Sequence, residues 1–474
     1  MTDVGGDPGA GGGVDPGDGG VDPADGGAQP GALAAGIAAA LAASGVVGVA
    51  VTMVDNSGVA RVKGIPVDRL ADAVRRGIGA PPVFDAFGAD DGIAPVGSPI
   101  GDLRLVPDLG AVVALAGQPG WAWAPADRVA VDGTPHPGCQ RTFARRMVER
   151  AERAGLEVRM AFETEWVVDA GHGDDLVPAT EGPAYGMGRL VDMSAYARDL
   201  LEACAAQGVE VEQIHPEYAP SQMELSVAPL DPVGAADRVV LVRQTLRAVS
   251  AAHGYRVSLS PALTPGGVGN GAHLHLSVWD GEVNLLARRA GAMAPTGEAW
   301  LAGILAALPA LLAVGAPSVA SYLRLQPQRW SAPWWCWGRE NREAALRVID
   351  GSAASAGAGA NAELKVFDAS ANPYLVVGAV VAAGLDGVER ALRLPPEVTV
   401  DPASLDDAAR RAAGVTRLPT DLAAALDAFA ADAVVGPAMG APLADTWMSV
   451  RLAELERFAD ATPEAVASAS RWVW

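Results

Sequence analysis

The chain has 474 residues, half of them hydrophobic and 19% charged, long enough for two or more domains and a large core. Its net charge of −21 excludes a nucleic-acid partner, because phosphate backbones demand a basic footprint. Three cysteines, Cys139, Cys204 and Cys336, show no CxxC spacing and no even framework, which excludes a cysteine-rich zinc site and fits a reducing cytoplasm.

Residues 1–30 are Gly, Asp and Pro with almost nothing to bury, and are predicted to be a disordered acidic tail. Acid rather than base precedes the first apolar segment, unlike a signal peptide. Gly31 to Val54 is uncharged, but it is rich in Ala and Gly and split by Ser44-Gly45. It reads as a helix over 32–43 and a strand over 46–54, in preference to a membrane span. A β-rich stretch follows to about residue 130. A linker, "DGTPHPGCQRTF", leads into a helix, "RTFARRMVERAERAGL", that closes on Gly155. Strands and helices then alternate irregularly to about residue 390. The last eighty residues read as helices jointed at Pro419, Pro437, Pro442 and Pro463. Without regular βαβ spacing, the fold class is α+β.

Four strands share an unusual face. A strand points alternate side chains to opposite sides. In "RMAFETEWVV", Glu163 and Glu165 therefore share one face, against Phe162, Thr164 and Trp166. "SQMELSVAPL" sets Gln222, Glu224 and Ser226 against Met223, Leu225 and Val227. "NGAHLHLSVW" sets His273, His275 and Ser277 against Leu274, Leu276 and Val278. "NAELKVFD" sets Glu363 and Lys365 against Leu364 and Val366. One such face is usually solvated. Four of them, carrying acids and imidazoles, point to a shared polar interior, where carboxylates must be paired or bound to metal. Glu217 lies just upstream of Glu224. An oxygen-rich set with few imidazoles suits two or three Mg²⁺ or Mn²⁺ ions.

Positive charge is concentrated further along, in "YLRLQPQRWSAPWWCWGRENREAALRV", with Arg324, Arg329, Arg339, Arg342 and Arg347. Guanidinium forks match phosphate and carboxylate oxygens. Metals with arginines point to phosphoryl transfer from a nucleotide. "GGVGNG" (266–271) opens a strand rather than a helix, so it is neither a dinucleotide fingerprint nor a P-loop.

These segments resemble the glutamine synthetase family, type I branch. "FETEW", "HPEYAPSQMEL", "GNGAHLHLS", "NREAALRV" and "AELKVFDASANPYL" are similar to five of its motifs in the family's order, and "VFDAFGADDG" and "GDLRLVPD" to its small β-grasp domain. The resemblance implies a helix plus β-grasp domain over 31–135 and a catalytic domain over 136–474, built on a curved antiparallel sheet with helices. It implies a ligase that phosphorylates the γ-carboxylate of glutamate with ATP and lets an amine displace the phosphate. Glu165, Glu217 and Glu224 would hold the metal beside the amino acid. Glu163, His273 and Glu363 would hold the metal at the nucleotide phosphates. His275, Ser277 and Arg347 would contact ATP, and Arg342 would stabilise the moving phosphoryl group. Arg324 would grip the substrate carboxylate beside Gly269, with Lys365 at the γ-carboxyl region. Asp85 would reach a neighbouring subunit's site and help deprotonate the amine, in a dodecamer of two hexameric rings.

The chain departs from the family pattern at several positions. Val268 replaces the glycine-loop asparagine, Lys365 an arginine, and Asn361 an ATP-side arginine. The flap "RLQPQRWSAP" lacks the glutamate that receives the ammonium proton; Arg329, Trp330 and Ser331 stand there. An indole face is better matched to an organic ammonium than to bare ammonium. The expected acceptor is therefore an organic amine, with ordinary glutamine synthesis as the alternative. A two-metal hydrolase or a catalytically inert assembly protein ranks lower, given five clustered arginines and a complete set of six metal-ligand positions.

Overall fold

The computed structural model describes residues 28–289, 291–351 and 357–474. Most of the predicted tail, 1–27, lies outside the described residues. The first helix, Ala28–Ala43, starts three residues before the tail was expected to end and stops before Gly45, whose φ is 89°. Its run of alanines favours helix strongly.

A six-stranded sheet follows. Its strands are β1 (Gly48–Val54), β2 (Ala60–Pro66), β3 (Ile78–Ala80), β4 (Leu103–Pro107), β5 (Val113–Ala114) and β6 (Trp121–Ala130). The order is β2-β1-β6-β4-β3, with β5 also on β6. β1 and β6 run parallel, and the other pairs run antiparallel. Val49, Val51, Ala122 and Ala124 are buried at its centre.

The second sheet has ten strands: β7 (Glu157–Asp169), β8 (Val211–Pro216), β9 (Gln222–Val227), β10 (Arg256–Ser258), β11 (Ala272–Asp280), β12 (Val283–Asn284), β13 (Trp334–Arg339), β14 (Ala344–Ile349), β15 (Asn361–Leu364) and β16 (Thr416–Arg417). The main path is β16-β13-β14-β15-β11-β7-β9-β8. This corrects the fully antiparallel expectation in one place, since β13 and β14 run parallel. The chain turns at Glu340, whose φ of 50° lies in the left-handed region, and returns before β14 begins.

Helices cover one face of this sheet. Gln140–Arg153, Pro232–Ala252, Pro295–Gly315 and Pro373–Glu389 pack together in its core. Gly303 and Gly387 let two of them meet backbone to backbone, since a Cβ on either would strike the other helix. The "ANPYL" segment starts Pro373–Glu389. Asn372 Oδ1 accepts from Tyr374 N and Leu375 N, and Pro373 takes the first helical position. Asn372 Nδ2 also donates to the carbonyls of Val54 and Asp55, tying β1 to the catalytic sheet's helices. Pro295–Gly315 is long and apolar enough to cross a membrane, but 83% of its most apolar window is buried in this core.

Candidate active site

The odd-faced strands are neighbours, and their register makes the site. On β7 and β9, Glu165 faces Glu224; on β8 and β9, His215 faces Glu224. On β11 and β7, His273 faces Glu163. On β15, Glu363 faces His275 on one side and Arg347 on the other. Directly opposed residues on one face of an antiparallel pair lie within interaction distance. The result is a continuous polar row across the sheet. It opens into a cavity of about 770 Å³, with Phe162, Thr164 and Trp166 buried on the opposite face.

Of the expected site residues, Glu163, Glu165, Glu217, Glu224, Gly269, His273, His275, Arg324, Arg342, Arg347, Glu363 and Lys365 all line this cavity. Ser277 lies further along β11, where its Oγ accepts from the Trp279 indole at 2.9 Å, and it does not line the cavity. Asp85 does not line it either. It is buried, paired with Arg128 and 3.0 Å from His136 Nε2. Burial works against its ionisation, but Arg128 and His136 hold its carboxyl below the usual range. Of the five clustered arginines, Arg339 points away and pairs with Glu397, while Arg329 lines the cavity.

Two groups of ligand atoms converge within 4.8 Å: Glu163, His275 and Glu363, and His215, Glu217 and Glu224. The second group has His215 where Glu165 was expected, and the first has His275, with the expected His273 alongside, its Nδ1 3.4 Å from Glu363. His273 flanks the first group, with Nδ1 2.8 Å from Glu163 and Nε2 accepting from Arg324 at 3.1 Å. That acceptor role places the ring proton on Nδ1. His215 was not singled out from the sequence at all; its cue was its position, two residues before Glu217.

The two groups differ electrostatically. In the first, burial opposes ionisation, but Lys365, His275 and His273 hold Glu363 at about 2. Lys365 Nζ donates to it at 2.9 Å and Arg347 at 3.0 Å. Despite burial, hydrogen bonds from His273 and His275 keep Glu163 well below its ordinary value. Burial by itself would lower His275, but Glu163 and Glu363 lift it to about 9. The second group is under-compensated. Burial pushes Glu224 up to about 8, reinforced by Glu163, Glu165 and Glu217, even though His215 bonds to it. Burial also raises Glu217, and Glu165 adds to this. Several buried carboxylates with one imidazole and, among the described residues, no Arg or Lys side chain paired to their carboxylate oxygens suit a divalent cation, so these residues fit the metals the motifs imply.

Neighbouring groups fix the carboxylates. Glu165 Oε2 accepts from Gly271 N at 2.8 Å and Gln222 Nε2 at 3.1 Å. Gln222 also bonds Asn270, whose amide spans the Ser258 and Ser260 carbonyls. Gly269 and Gly271 are needed here, because a Cβ on Gly269 would strike Pro261 and Arg324, and one on Gly271 would strike His273.

One wall is aromatic. Tyr218 and Trp330 stack at 6.1 Å, and Tyr185 meets Tyr218 edge-on at 5.5 Å and His215 at 5.4 Å. The Tyr185 hydroxyl donates to both Glu217 oxygens, at 2.8 and 2.9 Å. Tyr185, Gln328 and Trp330 all hold left-handed backbone (φ 55°, 57° and 60°), and all line the cavity. Such strain concentrates at ligand sites. Trp330 N donates to Glu343 at 3.0 Å, which anchors the segment.

Residues 137–467 match the family model described as "Glutamine synthetase, catalytic domain". The chain belongs to the glutamine synthetase family. A gamma-glutamylpolyamine synthetase, GlnA3 of Streptomyces coelicolor, is 53% identical over 91% of this chain and 94% of its own length. A glutamine synthetase of Pyrococcus horikoshii is 30% identical over 82% of this chain and 84% of its own. A solved structure titled a novel glutamine synthase homolog superimposes with a TM-score of 0.81 at 33% identity, covering 90% of this chain and 99% of that one.

Proposed function

We propose that the protein is an ATP-dependent ligase that joins the γ-carboxylate of glutamate to an organic amine through γ-glutamyl phosphate, with polyamines as its acceptors. The observation that carries the amine assignment is the aromatic wall of Tyr185, Tyr218 and Trp330 beside Glu217 and Glu224. Aromatic faces attract a cation that also carries apolar surface, and the carboxylates supply opposite charge. The 53% identity to a gamma-glutamylpolyamine synthetase supports the same reading.

Glu163, Glu363 and a histidine of β11 would hold a cation at the nucleotide phosphates, and Glu165, Glu217 and Glu224 would hold one beside the amino acid. Bound there, Mg²⁺ or Mn²⁺ supplies charge neutralisation for the polyphosphate and the acyl phosphate. Arg342 is exposed at the cavity and free to follow the moving phosphoryl group. Arg347 and His275 line the cavity where they would contact the nucleotide, whereas Ser277, expected to contact it too, lies outside that lining. Buried Arg324 grips the substrate α-carboxylate, and Lys365 keeps positive charge near the γ-carboxyl. Asp85 reaches an amine only if a ring-shaped homo-oligomer, a dodecamer of two hexameric rings, brings it to a neighbour's site. Its pairing with Arg128 makes it a weak base there.

The N-terminal sheet is read as a β-grasp domain. The parallel alignment of its first and last strands at the centre of the sheet supports this. Three buried free cysteines support a reducing, cytoplasmic location.

The test is ADP release with glutamate, ATP and Mg²⁺ against a panel of putrescine, spermidine, methylamine, ethanolamine and ammonium. A polyamine with the highest kcat/KM is expected. Ammonium exceeding every amine would return the protein to ordinary glutamine synthesis.

A further inference from the structure

A second cavity, of about 230 Å³, lies between the β1–β2 turn, the helix Pro232–Ala252 and the segment Val473–Trp474. It shares no lining residue with the catalytic cavity. Two guanidiniums one helical turn apart, Arg243 and Arg247, line it with the amide of Gln244; the rest is largely apolar, including Val240 and Leu259. Residues four apart on a helix project from the same face.

Arg243 is only 7% exposed, and its Nε has no hydrogen-bond partner among the described residues. Burial lowers it to about 10, Asp368 offsets this only in part, and Arg247 adds repulsion. Arg247 is half-buried. Its one hydrogen bond to a described residue is a long one, 3.4 Å, to the Val473 carbonyl, and burial lowers it; the Trp474 carboxylate belongs to the same lining but forms no ion pair with either guanidinium. Among the described residues, Asp368 is the acidic side chain that acts on Arg243. It also faces Arg324, Oδ1 accepts from Ser370, and burial raises its carboxyl, so it does not neutralise two guanidiniums. A buried cation without a partner is expensive, and natural cores normally supply one.

We propose that Arg243, Arg247 and Gln244 form a binding site for a small oxyanion, of the phosphate or carboxylate kind, distinct from the catalytic cavity. The guanidinium forks supply planar donors to its oxygens, Gln244 adds an amide N–H, and the apolar remainder excludes water and strengthens both bonds. Because the lining comes from β1–β2, the core helix Pro232–Ala252 and residues 473–474, the anion ties three parts of the chain together.

Thermal unfolding and isothermal titration of the full-length protein test this, with inorganic phosphate and succinate as probes and chloride as control at constant ionic strength. Phosphate or succinate is expected to raise Tm beyond chloride. Arg243→Gln and Arg247→Gln are each expected to weaken the anion by about tenfold or more, as loss of a charge-assisted contact does, while keeping the Tm rise produced by ADP with Mg²⁺. Arg247 is half-buried, so its variant carries the test by itself if Arg243→Gln does not fold. No stabilisation beyond chloride in the parent protein would overturn the proposal. So would an unchanged anion response in the variants, which would assign the anion to the catalytic cavity.

Discussion

His215 Nε2 lies 3.1 Å from a carboxylate oxygen of Glu224, its register partner across β8 and β9. The hydrogen bond raises His215, while burial and three nearby carboxylates raise Glu224 to about 8, so the pair holds a proton near neutral pH. Cation binding must displace that proton.

Stability without metal is therefore expected to depend on pH. Glu224 titrates near its ordinary 4.5 when unfolded and at about 8 when folded, so between these values the folded chain binds the proton more tightly. This contribution is fully present below pH 4.5 and is lost as pH rises through 8. Tm measured with EDTA from pH 5 to 9 should fall more steeply for the parent than for Glu224→Gln, and Mn²⁺ should flatten the parent's decline. Parallel curves for the two proteins would refute the assignment.

Glu165→Ala and Glu224→Ala are expected to lower turnover by at least about 100-fold under saturating Mg²⁺, because they remove ligands where even second-sphere changes cost 10–100-fold. Far-UV circular dichroism should be unchanged, since neither side chain is part of the apolar core. Near-normal turnover in either variant would show that these carboxylates do not hold the catalytic metal.

Trp330→Ala should reduce kcat/KM for spermidine by about tenfold, the scale of a partly exposed cation–π contact. Ammonium, which has no apolar surface to cover, should be much less affected. Equal losses for both acceptors would mean that Trp330 shapes the flap rather than the amine's preference.

Asp85→Asn should destabilise the fold by about 3 kcal/mol, because it leaves the fully buried Arg128 without its counter-charge. Urea unfolding measures this, and Arg128→Met in the same background should recover part of the loss. If Asp85→Asn unfolds like the parent yet loses activity, Asp85 serves chemistry rather than this buried corner.

Period-two alternation placed Glu163, Glu165, Glu224, His273, His275 and Glu363 on polar faces. These features were legible because alternation is local, set by a few consecutive residues. The motifs likewise identified most of the cavity's lining, including Arg324, Arg342, Arg347 and Lys365. Only the tertiary structure decided which strands lie side by side and in which register, because pairing joins segments far apart in the chain. It joined His215 to Glu224 and brought His275 as well as the expected His273 beside Glu163 and Glu363. It assembled Tyr185, Tyr218 and Trp330 into one wall from three separate segments. It also moved Ser277 out of the cavity and buried Asp85 against Arg128, since burial and counter-charge depend on the packing of elements that no short window of sequence contains.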